Sequence, residues 1–598
     1  MAANDPRVPA ARPDGAVFIS YHQKSGAQTA EFVETYLRSG GIVPWRDVRD
    51  LEAGAVQRSI REAFADGLSG AVLLISDGIE ESDFVPQEEL PLILDVTEKD
   101  TGDFRFLHIV NTIRKPGTDQ PDINAPADRL KAKCPRANTL SAHLQRALLH
   151  KTGPEEKAVN KLGSMLQDLL RARLRNWPRD KTLEVGLQTR PTPSHLAVSS
   201  RTPDDSHLHI RLRQDATTQI PEELDLHCLK QTLPQLIDEI HGNGVQRIRF
   251  RGGCHPSLAW TLGTALPKSR DGIETFTWHD VAGNDWCSTD EPTDPKTTIQ
   301  CLVLAPEREA SDPVPVAADG KALRDALSLG EGRRNVVVLL TTENYLREPL
   351  TALARSIGPA PVLLIQFVTQ PDAHGNKMIH HSEGAELARR TGEILRHLGD
   401  GANIHLAVQI PVALAALTAR QCNTLTMDFY ELGDFSLGAK SYIRVLRMAA
   451  GNRLPITEVY ARATPQIDRI RTLRNLTPHA VTIFPEAGTP FSWAPDSPDA
   501  WIDRQTTPEE LPTLRVCGQE IPVTRVRHGR IQPSPPMIPE VGYIVPRALA
   551  EAARRPDFFF PHGELRSESG AIIGYRGLGC FESVTDRTRP FLDWIDPL

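Results

Sequence analysis

The stretch AVFISYHQKSGAQTAEFVETYLRSGGIVPWRDVRDLEAGAVQRSIREAFADGLSGAVLLIS (16–76) decides the fold of the N-terminal unit. Its two apolar ends, AVFISY (16–21) and AVLLIS (71–76), predict buried strands. Between them, 29–40 carries apolar residues at helical spacing and stops at paired glycines, and a second helical pattern covers 55–67. Strands that alternate with helices in this way predict a parallel, doubly wound α/β sheet.

The N-terminal unit is bounded by two stretches of different character. Residues 1–14 are polar and proline-bearing, and we expect a disordered tail there. The unit itself is expected to span 15–150, with a further strand at 104–113 and a predicted helix, LSAHLQRALL (140–149). The charged helical pattern that follows predicts a helical connector over 151–180.

The middle region, 181–452, contains a weak internal duplication. A strand, a turn, a proline that opens a helix and an aromatic strand occur in this order at 245–278 with Pro256, and again at 402–431 with Pro411. Continuous apolar runs typical of strands buried on both faces occur at 301–306, 335–340 and 361–368. These patterns predict two fused Rossmann-like halves.

The C-terminal part of the chain has a different texture. A helical linker is predicted over 453–474. The remainder, 475–598, is rich in proline, glycine and short alternating strands, with one predicted helix at 547–555, and we expect a small, mainly β accessory domain. It resembles a small stand-alone domain of bacteria and phages for which no activity is implied.

Composition and charge exclude several classes of function. The 598 residues include 68 Lys+Arg and 76 Asp+Glu, a formal net charge of −8, so no global positive field attracts long nucleic acid or anionic lipid. No apolar run approaches the roughly 20 residues that cross a bilayer, and no signal-peptide pattern opens the chain, so we expect a cytoplasmic protein without a membrane partner. The eight cysteines form no CxxC pair, and we expect free thiols, no metal site and no cofactor.

Three motifs of the N-terminal unit follow one another in a specific combination. They are the box VFISY with Ser25 and Gly26, the WRD segment (45–47) that leads into LEAG, and an LLIS strand followed by SDFVPQEE (82–89). Together they resemble TIR (Toll/interleukin-1 receptor) domains, and are most similar to the NAD+-cleaving kind in bacterial defence proteins. The resemblance implies a flavodoxin-like fold and NAD+ glycohydrolase activity.

The same resemblance implies that Glu88 is the catalytic residue. In NAD+-cleaving TIR domains a glutamate lies four residues after an aromatic residue, here Phe84. Glu89 is the off-by-one competitor, and we expect it to be a solvated charge. Cleavage of the nicotinamide–ribose bond passes through an oxocarbenium-like centre with a cationic leaving group, so the main requirement is a carboxylate that faces the developing charge.

Residues around this position are candidates for substrate binding. A structural role in the loop after the first strand is the alternative for Tyr21, His22 and Ser25. Trp45 and Asp47, near the second strand, are expected to support the fold first and to line the site second. The candidates are Tyr21, His22, Ser25, Trp45, Asp47 and Phe84.

A second set of motifs lies in the duplicated middle region. It consists of the opening LQTRP, the Gly252-Gly253 turn before Pro256, and IHLAVQIP with DFYELGDFSLGAKSY in the second half. The region resembles SAVED domains, the sensors with two CARF-like halves that belong to bacterial cyclic-oligonucleotide anti-phage signalling (CBASS). This implies binding of a cyclic oligonucleotide, such as the cyclic trinucleotide cyclic tri-adenylate, and ligand-induced self-assembly into a filament.

The expected ligand site lies beyond the carboxyl ends of the parallel strands, where helix N-termini present N–H groups to phosphates. Stacking groups and cations are also required there. The candidates at such loop ends are Arg190, Gly253, His255, Ser257, Trp286, Arg308, Glu343, Gln409 and Tyr442.

Together, the two resemblances imply that the protein is an anti-phage effector in which ligand binding to the middle region activates NAD+ hydrolysis. NAD+ is then the substrate and the cyclic oligonucleotide the activator. Two alternatives stay open at this point: a TIR domain that produces a cyclic ADP-ribose signal, and a non-enzymatic TIR adaptor. An NAD+ assay separates the adaptor, and mass spectrometry of the product separates the signal producer.

Overall fold

A computed structural model gives the architecture. It describes residues 11–46, 53–82, 84–99, 102–111, 113–114, 121–122, 125–139, 145–150, 153–154, 156–190, 206–215, 218–268, 272–292, 295–304, 312–329, 334–342, 344–358, 360–371, 375, 377–399, 401–435, 439–449, 455–460, 472–485, 489–496, 503–516, 519–532, 541–553, 557–567 and 569–581.

The N-terminal unit is a doubly wound sheet with helices between its parallel strands. Five parallel strands run in the order β2-β1-β3-β4-β7, which is the flavodoxin-like order, and β8 adds an antiparallel edge. The elements are β1 (Ala11–Tyr21), α1 (Gln23–Ser39), β2 (Pro44–Arg46), α2 (Ala53–Asp66), β3 (Leu68–Ile75), a π-helical turn (Val85–Glu89), α3 (Leu90–Lys99), β4 (Arg105–Asn111), β5 (Ile113–Arg114), β6 (Pro121–Asp122), α4 (Ala125–Lys133), β7 (Gln145–His150) and β8 (Gly153–Pro154).

Two sequence expectations for this unit are wrong. The predicted tail over 1–14 ends too late, because β1 begins at Ala11 and pairs with β3 there; residues 1–10 lie outside the described chain. The predicted helix at 140–149 is a strand from Gln145 onward. Its local pattern fits a helix, but pairing with β4 satisfies its backbone groups in the sheet, and that tertiary pairing overrides local propensity.

The first half of the middle region is a five-stranded sheet in the order β10-β9-β11-β12-β13. The predicted connector is confirmed as a helix, α5, which precedes the sheet. The elements are α5 (Glu156–Leu174), β9 (Thr182–Gln188), β10 (Leu208–Arg211), α6 (Glu223–Gly242), β11 (Arg247–Arg251), α7 (Pro256–Ala265), β12 (Thr275–His279) and β13 (Asp285–Cys287).

The second half is an eight-stranded mixed sheet in the order β15-β14-β17-β16-β18-β19-β20-β21. The mixed α/β class with several parallel sheets is therefore confirmed. The elements are β14 (Thr297–Leu304), β15 (Val314–Val316), α8 (Gly320–Ala326), β16 (Arg334–Thr341), α9 (Arg347–Ser356), β17 (Val362–Thr369), α10 (Gly384–Leu398), β18 (Ala402–Gln409), α11 (Val412–Ala419), β19 (Met427–Phe435), β20 (Ala439–Met448) and β21 (Ile456–Val459).

The internal duplication is visible as two equivalent strand–helix–strand units, β11-α7-β12 and β18-α11-β19. Their helices pack directly on each other. Gly263 makes this crossing possible, because a Cβ atom there would lie 2.2 Å from the carbonyl oxygen of Ala416. The two halves therefore meet through the paired helices α7 and α11.

The predicted helical linker over 453–474 is wrong at both of its described ends, because residues 472–474 belong to a strand of the C-terminal sheet. Residues 456–459 form β21, which pairs antiparallel with β20 and extends the eight-stranded sheet. The edge of β20 offers unpaired backbone groups, so a strand is the better partner for this segment than a free helix. Residues 461–471 lie outside the described chain.

The C-terminal unit is mainly β in its described residues. A six-stranded sheet in the order β22-β27-β28-β29-β23-β24 is accompanied by the ribbon β25-β26. The elements are β22 (Thr472–Asn475), β23 (Val481–Ile483), β24 (Phe491–Trp493), β25 (Asp503–Val516), β26 (Gln519–Gln532), β27 (Val541–Ile544), α12 (Arg547–Ala553), β28 (Phe558–Arg566) and β29 (Ile572–Gly579).

One hydrophobic core runs through the N-terminal unit, α5 and the middle region. Helix α5 contributes five leucines that are at most 1% exposed: Leu162, Leu166, Leu169, Leu170 and Leu174. Helices α1 and α6 pack side by side, and Thr232 Oγ1 donates to Ser39 Oγ at 3.2 Å between them. Arg213 pairs with both Glu31 of α1 and Asp225 of α6. The predicted connector is therefore part of the core between two units.

Two negative findings concern the described residues alone. No helix among them is both long and apolar enough to cross a bilayer. The seven cysteines among them are free thiols, as predicted.

Candidate functional site

A large cavity lies between the two halves of the middle region, at the carboxyl edges of their sheets. It encloses about 900 Å³, near the upper end of the roughly 300–1,000 Å³ of small-molecule pockets. Thr342 and Thr369 reach it from the ends of β16 and β17, and Pro411 to Ala413 form the N-terminal end of α11 in its wall. The expectation of a site beyond the carboxyl ends of parallel strands agrees with this position.

The cavity wall carries several cations and two acids. Arg190, Lys296 and Lys377 contribute positive charge, and Asp280 and Glu383 contribute carboxylates. This balance suits a ligand that presents both anionic groups and hydrogen-bond donors.

Two neighbouring histidines supply flat surfaces to the same wall. The ring centroids of His380 and His381 are 4.2 Å apart, with 34° between the ring planes. Both residues line the cavity. Imidazole rings of this kind can stack against a base.

Arg190 and Gly253 are two predicted residues that the structure places in the cavity wall. The backbone N–H groups of Thr189 and Arg190 both donate to the carbonyl of Gly253, at 2.9 and 3.4 Å. Gly252 next to it has a φ of +107°, and a Cβ there would lie 2.2 Å from the carbonyl oxygen of Leu187. A glycine at position 252 is therefore required for the end of β9 and the turn after β11 to approach each other.

Trp286 also lines the cavity, but its ring is only 3% exposed. Its Nε1–H donates to Asp280 Oδ2 at 2.8 Å, and Gly384 packs against the ring. Burial raises the pKa of Asp280, but hydrogen bonds from Trp286 and Asn284 outweigh it and lower the pKa overall. Trp286 is thus part of the wall rather than the exposed stacking group that the polar loop predicts.

His255 and Ser257 are buried below the cavity and do not line it. His255 is 1% exposed, and its ring nitrogens contact Thr189 Oγ1 at 2.7 Å and the carbonyl of Gln219 at 2.8 Å. The backbone N–H of Ser257 donates to Glu431 Oε1 at 2.6 Å. Burial raises the pKa of Glu431. These two predicted ligand residues hold the start of α7 in place.

Gln409 and Tyr442 pair with each other away from the cavity. Gln409 Nε2 donates to the hydroxyl of Tyr442 at 2.8 Å, and Tyr442 belongs to the apolar cluster that includes Leu350 and Leu353 of α9. Burial raises the pKa of the Tyr442 hydroxyl. Arg308 and Glu343, the other predicted ligand residues, lie outside the described residues.

Sequence reasoning missed most of the polar wall. Lys296 directly precedes β14, and Lys377 to Glu383 come from the segment before α10. The doublet His380-His381 in this segment is a signal that could have drawn attention to it, because adjacent histidines beside a lysine are unusual on a plain surface.

A second candidate site lies at the carboxyl ends of β1 and β3 in the N-terminal unit. Ser25 Oγ donates to the carbonyl of Asp77 at 2.6 Å and lies 2.8 Å from Ser76 Oγ. His22 Nδ1 is 2.9 Å from Ser25 Oγ. Ser25 lies in the first turn of α1 rather than in the predicted loop, and its contacts join the start of that helix to the end of β3, which fits a structural role. His22 is the residue that directly precedes α1.

The predicted catalytic segment is a π-helical turn. The N–H groups of Glu88 and Glu89 both donate to the carbonyl of Phe84, at 2.9 and 3.0 Å. The i→i+5 bond accommodates one more residue per turn than an α-helix does, and single π turns are frequent at functional sites. Glu88 keeps the i→i+4 hydrogen bond of an α-helix to Phe84, and the i→i+5 bond of Glu89 makes the turn a π turn.

The two glutamates face different surroundings as a result. Glu88 is partly exposed and pairs with Arg61 at 3.1 Å. Glu89 is only 6% exposed, and its carboxylate accepts a hydrogen bond from Ser20 Oγ near the end of β1. The expectation that Glu89 is a solvated charge is therefore wrong, because the extra residue in the turn rotates it toward the sheet.

The remaining candidates support the fold around these carboxylates. Trp45 stacks on Phe18 with ring centroids 5.1 Å apart and 26° between planes. Arg46 pairs with Glu34 at 3.0 Å and lies over the ring of Tyr21 at 5.7 Å. The fold-supporting role expected for Trp45 agrees with this packing. Asp47 lies outside the described residues.

Comparisons with known proteins give little at the level of sequence. No family model matches the chain, and no curated protein matches it.

Among solved structures, two of the similar ones are of the Acinetobacter baumannii Cap4 SAVED/CARF-domain containing receptor, one with the cyclic trinucleotide 2'3'3'-cAAA and one with 3'3'3'-cAAA. The identity is 11% and the TM-score 0.30 in both. The match covers 67% of this chain and 86% of that chain in the first, and 71% and 98% in the second. Similarity at this level carries no argument about the ligand of this chain.

Proposed function

We propose that the middle region is a receptor for a cyclic oligonucleotide, and that its ligand occupies the 900 Å³ cavity between the two halves. The observation that carries the proposal is the position and lining of this cavity. It lies at the carboxyl ends of parallel strands from two sheets, with cations and a pair of neighbouring histidine rings in its lining. A cyclic trinucleotide such as cyclic tri-adenylate presents the phosphates and the flat bases that this wall suits.

The output of the receptor, in this proposal, is NAD+ hydrolysis by the N-terminal unit as part of anti-phage defence. The support is the TIR-like motif set together with a π-helical turn that carries two carboxylates beside the ends of β1 and β3. Nicotinamide then leaves as a neutral molecule, and a carboxylate stabilises the oxocarbenium-like ribose. NAD+ is a substrate here, and the chemistry needs no further cofactor.

The contacts favour Glu89 over the sequence candidate Glu88 as that carboxylate. Glu89 lies at the carboxyl edge of the sheet, where Ser20 orients its oxygen. Glu88 points to Arg61 of α2, and a guanidinium partner neutralises the charge that the reaction needs. Both residues remain part of the proposal until paired variants separate them.

Ligand binding activates the enzyme by self-assembly in this proposal. Val281 and Met378 line the mouth of the cavity and are 63% and 73% exposed. A second copy that covers this mouth would bury both side chains and part of the ligand, which gives the assembled state the tighter binding that an activator needs. Contacts between unlike surfaces of copies continue into a filament unless they close a ring.

A single assay on the purified full chain tests the function. Cyclic di-, tri- and tetranucleotides are screened for release of nicotinamide from NAD+, and product mass is read by mass spectrometry. We expect release with a cyclic trinucleotide and little without it. Binding without any turnover would leave the adaptor alternative, and a cyclised ADP-ribose product would favour the signal-producing alternative.

A further inference from the structure

The wall of the middle-region cavity contains a buried carboxylate with one oxygen unused. Glu383 is 3% exposed and lines the cavity. Its Oε1 accepts the backbone N–H of Lys296 at 2.5 Å. Its Oε2 is buried and has no hydrogen-bond partner among the residues that the structure describes.

An unsatisfied buried acceptor of this kind is unfavourable, because it has lost its water without gaining a donor. Glu383 directly precedes α10, and the positive end of that helix favours a negative charge here. That effect explains why an acid is tolerated at this place. It does not supply a donor to Oε2, since the side chain makes no capping bond to the helix.

The other acid of the wall is already in use. Asp280 Oδ1 accepts the backbone N–H groups of Ala282 and Asn284, both at 2.9 Å, and its Oδ2 accepts the Trp286 indole. Asp280 therefore organises its own loop, whereas Glu383 leaves an acceptor at the cavity wall.

We propose that Glu383 Oε2 reads a base of the bound ligand by accepting an N–H of its exocyclic amino group. The proposal rests on the proposed receptor function. Adenine N6, cytosine N4 and guanine N2 can each satisfy one oxygen with one bond. Oε1 already accepts the backbone N–H of Lys296. The two carboxylate oxygens therefore cannot accept one hydrogen bond each from the N1–H and N2–H groups of guanine. The neighbouring rings of His380 and His381, three and two residues earlier in the chain, also line the cavity.

The test uses two ligands that differ in one group. Cyclic tri-inosinate has a carbonyl oxygen where cyclic tri-adenylate of the same linkage has its amino group. We expect the unmodified full chain to bind cyclic tri-adenylate about tenfold more tightly or better, because the carbonyl would face the carboxylate oxygen. Isothermal titration calorimetry measures both affinities.

Glu383→Gln is expected to reverse this preference. The side-chain oxygen of Gln keeps the hydrogen bond from Lys296. The side-chain amide nitrogen then takes the place of Oε2 and donates an N–H to the inosine carbonyl. Glu386→Gln is the matched control, since it removes one charge from the first turn of the same helix, where Glu386 pairs with Arg389 outside this cavity. The control should keep the adenine preference.

Three outcomes would overturn the proposal. Equal binding of both ligands by the unmodified chain, or tighter binding of cyclic tri-inosinate, would exclude base reading by Glu383 while the receptor function stands; this result does not depend on how any variant folds. A folded Glu383→Gln variant with an unchanged adenine preference would do the same. Binding of no cyclic oligonucleotide at all would instead overturn the receptor function, and the base reading with it.

Discussion

At the scale of single residues, the π-helical turn separates two neighbouring carboxylates into different environments. Glu89→Gln keeps the size and the Ser20 contact but removes the charge, so we expect NAD+ turnover to fall at least about a hundredfold. Glu88→Gln is the matched variant on the partly exposed side, and its loss should be about tenfold or less. Steady-state nicotinamide release at saturating activator measures both.

Protein stability and ligand affinity are measured on both variants as controls, and neither should change. If Glu88→Gln abolishes turnover and Glu89→Gln leaves most of it, the four-residue spacing rule holds despite the π turn. The catalytic role then returns to Glu88.

The cationic wall gives a second prediction at this scale. Arg190→Gln should weaken binding of cyclic tri-adenylate by about 1.5–3 kcal/mol if the guanidinium meets a phosphate. Arg389→Gln, on an exposed ion-paired face of α10, is the control and should bind as the unmodified chain does. Calorimetry that shows equal affinity for all three proteins would remove Arg190 from the ligand site.

The sequence predicts positions along the chain better than it predicts where side chains point. Arg190 and Gly253 follow strand ends, and both reach the cavity. His255 follows a strand end as well, but Thr189 and Gln219 occupy both of its ring nitrogens. Whether a loop residue faces a cavity depends on contacts with residues distant in sequence, and local pattern does not contain them.

At the scale of elements, the close crossing of α7 and α11 depends on the absence of a side chain at Gly263. Gly263→Ala would place Cβ 2.2 Å from a backbone oxygen of Ala416, so the helices must separate. We expect a loss of about 1–3 kcal/mol in the free energy of unfolding. Weaker ligand binding should accompany it, since the N-terminal end of α11 lines the cavity.

Urea denaturation measures the stability change. Gly242→Ala is the control, because a Cβ at the last residue of α6 meets nothing within 4 Å. It should be neutral or slightly stabilising. Equal stability of the two variants would show that the helix pair can move apart without cost.

The eight-stranded sheet contains a buried histidine that makes stability depend on pH. Burial lowers the pKa of His405 to about 4, although nearby Asp428 opposes this and Arg444 and Arg447 add to it. The unfolded chain binds the proton near pH 6.5, before the folded chain does. The contribution of neutral His405 to the free energy of unfolding is therefore fully present above pH 6.5. It is lost as the pH falls toward 4, and the loss is roughly 3 kcal/mol at most.

His405→Phe should remove this part of the acid sensitivity. The variant loses the 3.1 Å contact with the Tyr430 hydroxyl, so it is less stable at neutral pH. Its unfolding free energy should nevertheless fall less between pH 6.5 and 4.5 than that of the unmodified chain. Parallel pH dependences from chemical denaturation would show that other groups cause the acid sensitivity.

The sequence predicts a helix or strand best where the local pattern and the contacts in the fold favour the same structure. The strand–helix–strand repeats around Pro256 and Pro411 follow their sequence patterns closely. The strands β7 and β21 do not, because edges of the neighbouring strands β4 and β20 recruit segments whose own pattern favours a helix. An edge that lies far away in sequence gives no local signal.

At the scale of the whole molecule, the N-terminal unit shares its core with α5 and the middle region. A fragment of residues 1–150 lacks the five buried leucines of α5, each worth about 1.5–3 kcal/mol. The loss is comparable to the entire stability of a typical domain. We therefore expect this fragment to aggregate or to unfold at a much lower temperature than a fragment of residues 1–180.

Thermal unfolding of the two fragments beside the full chain measures this. The longer fragment should be intermediate, because α1 still lacks its neighbour α6. A fragment of 1–150 as stable as the longer one would show that the leucines of α5 belong only to the middle region.

Assembly gives a further prediction at this scale. Activity per chain should rise with protein concentration in the presence of cyclic tri-adenylate, because the proposed active state contains more than one copy. Val281→Asp with Met378→Asp should abolish this rise, since two charges then occupy the exposed mouth of the cavity. Light scattering that shows a monomer with full activity would contradict assembly.

The shared core also limits which N-terminal units can replace the present one during evolution. Effectors and sensors that are joined by flexible linkers can be exchanged by recombination without loss of either partner. Here a new effector would have to arrive with a surface that fits α5 and α6, including partners for Arg213 and Thr232. The N-terminal unit and the middle region are therefore expected to be inherited together, and grafting another middle region onto this N-terminal unit requires α5 to be transferred with it.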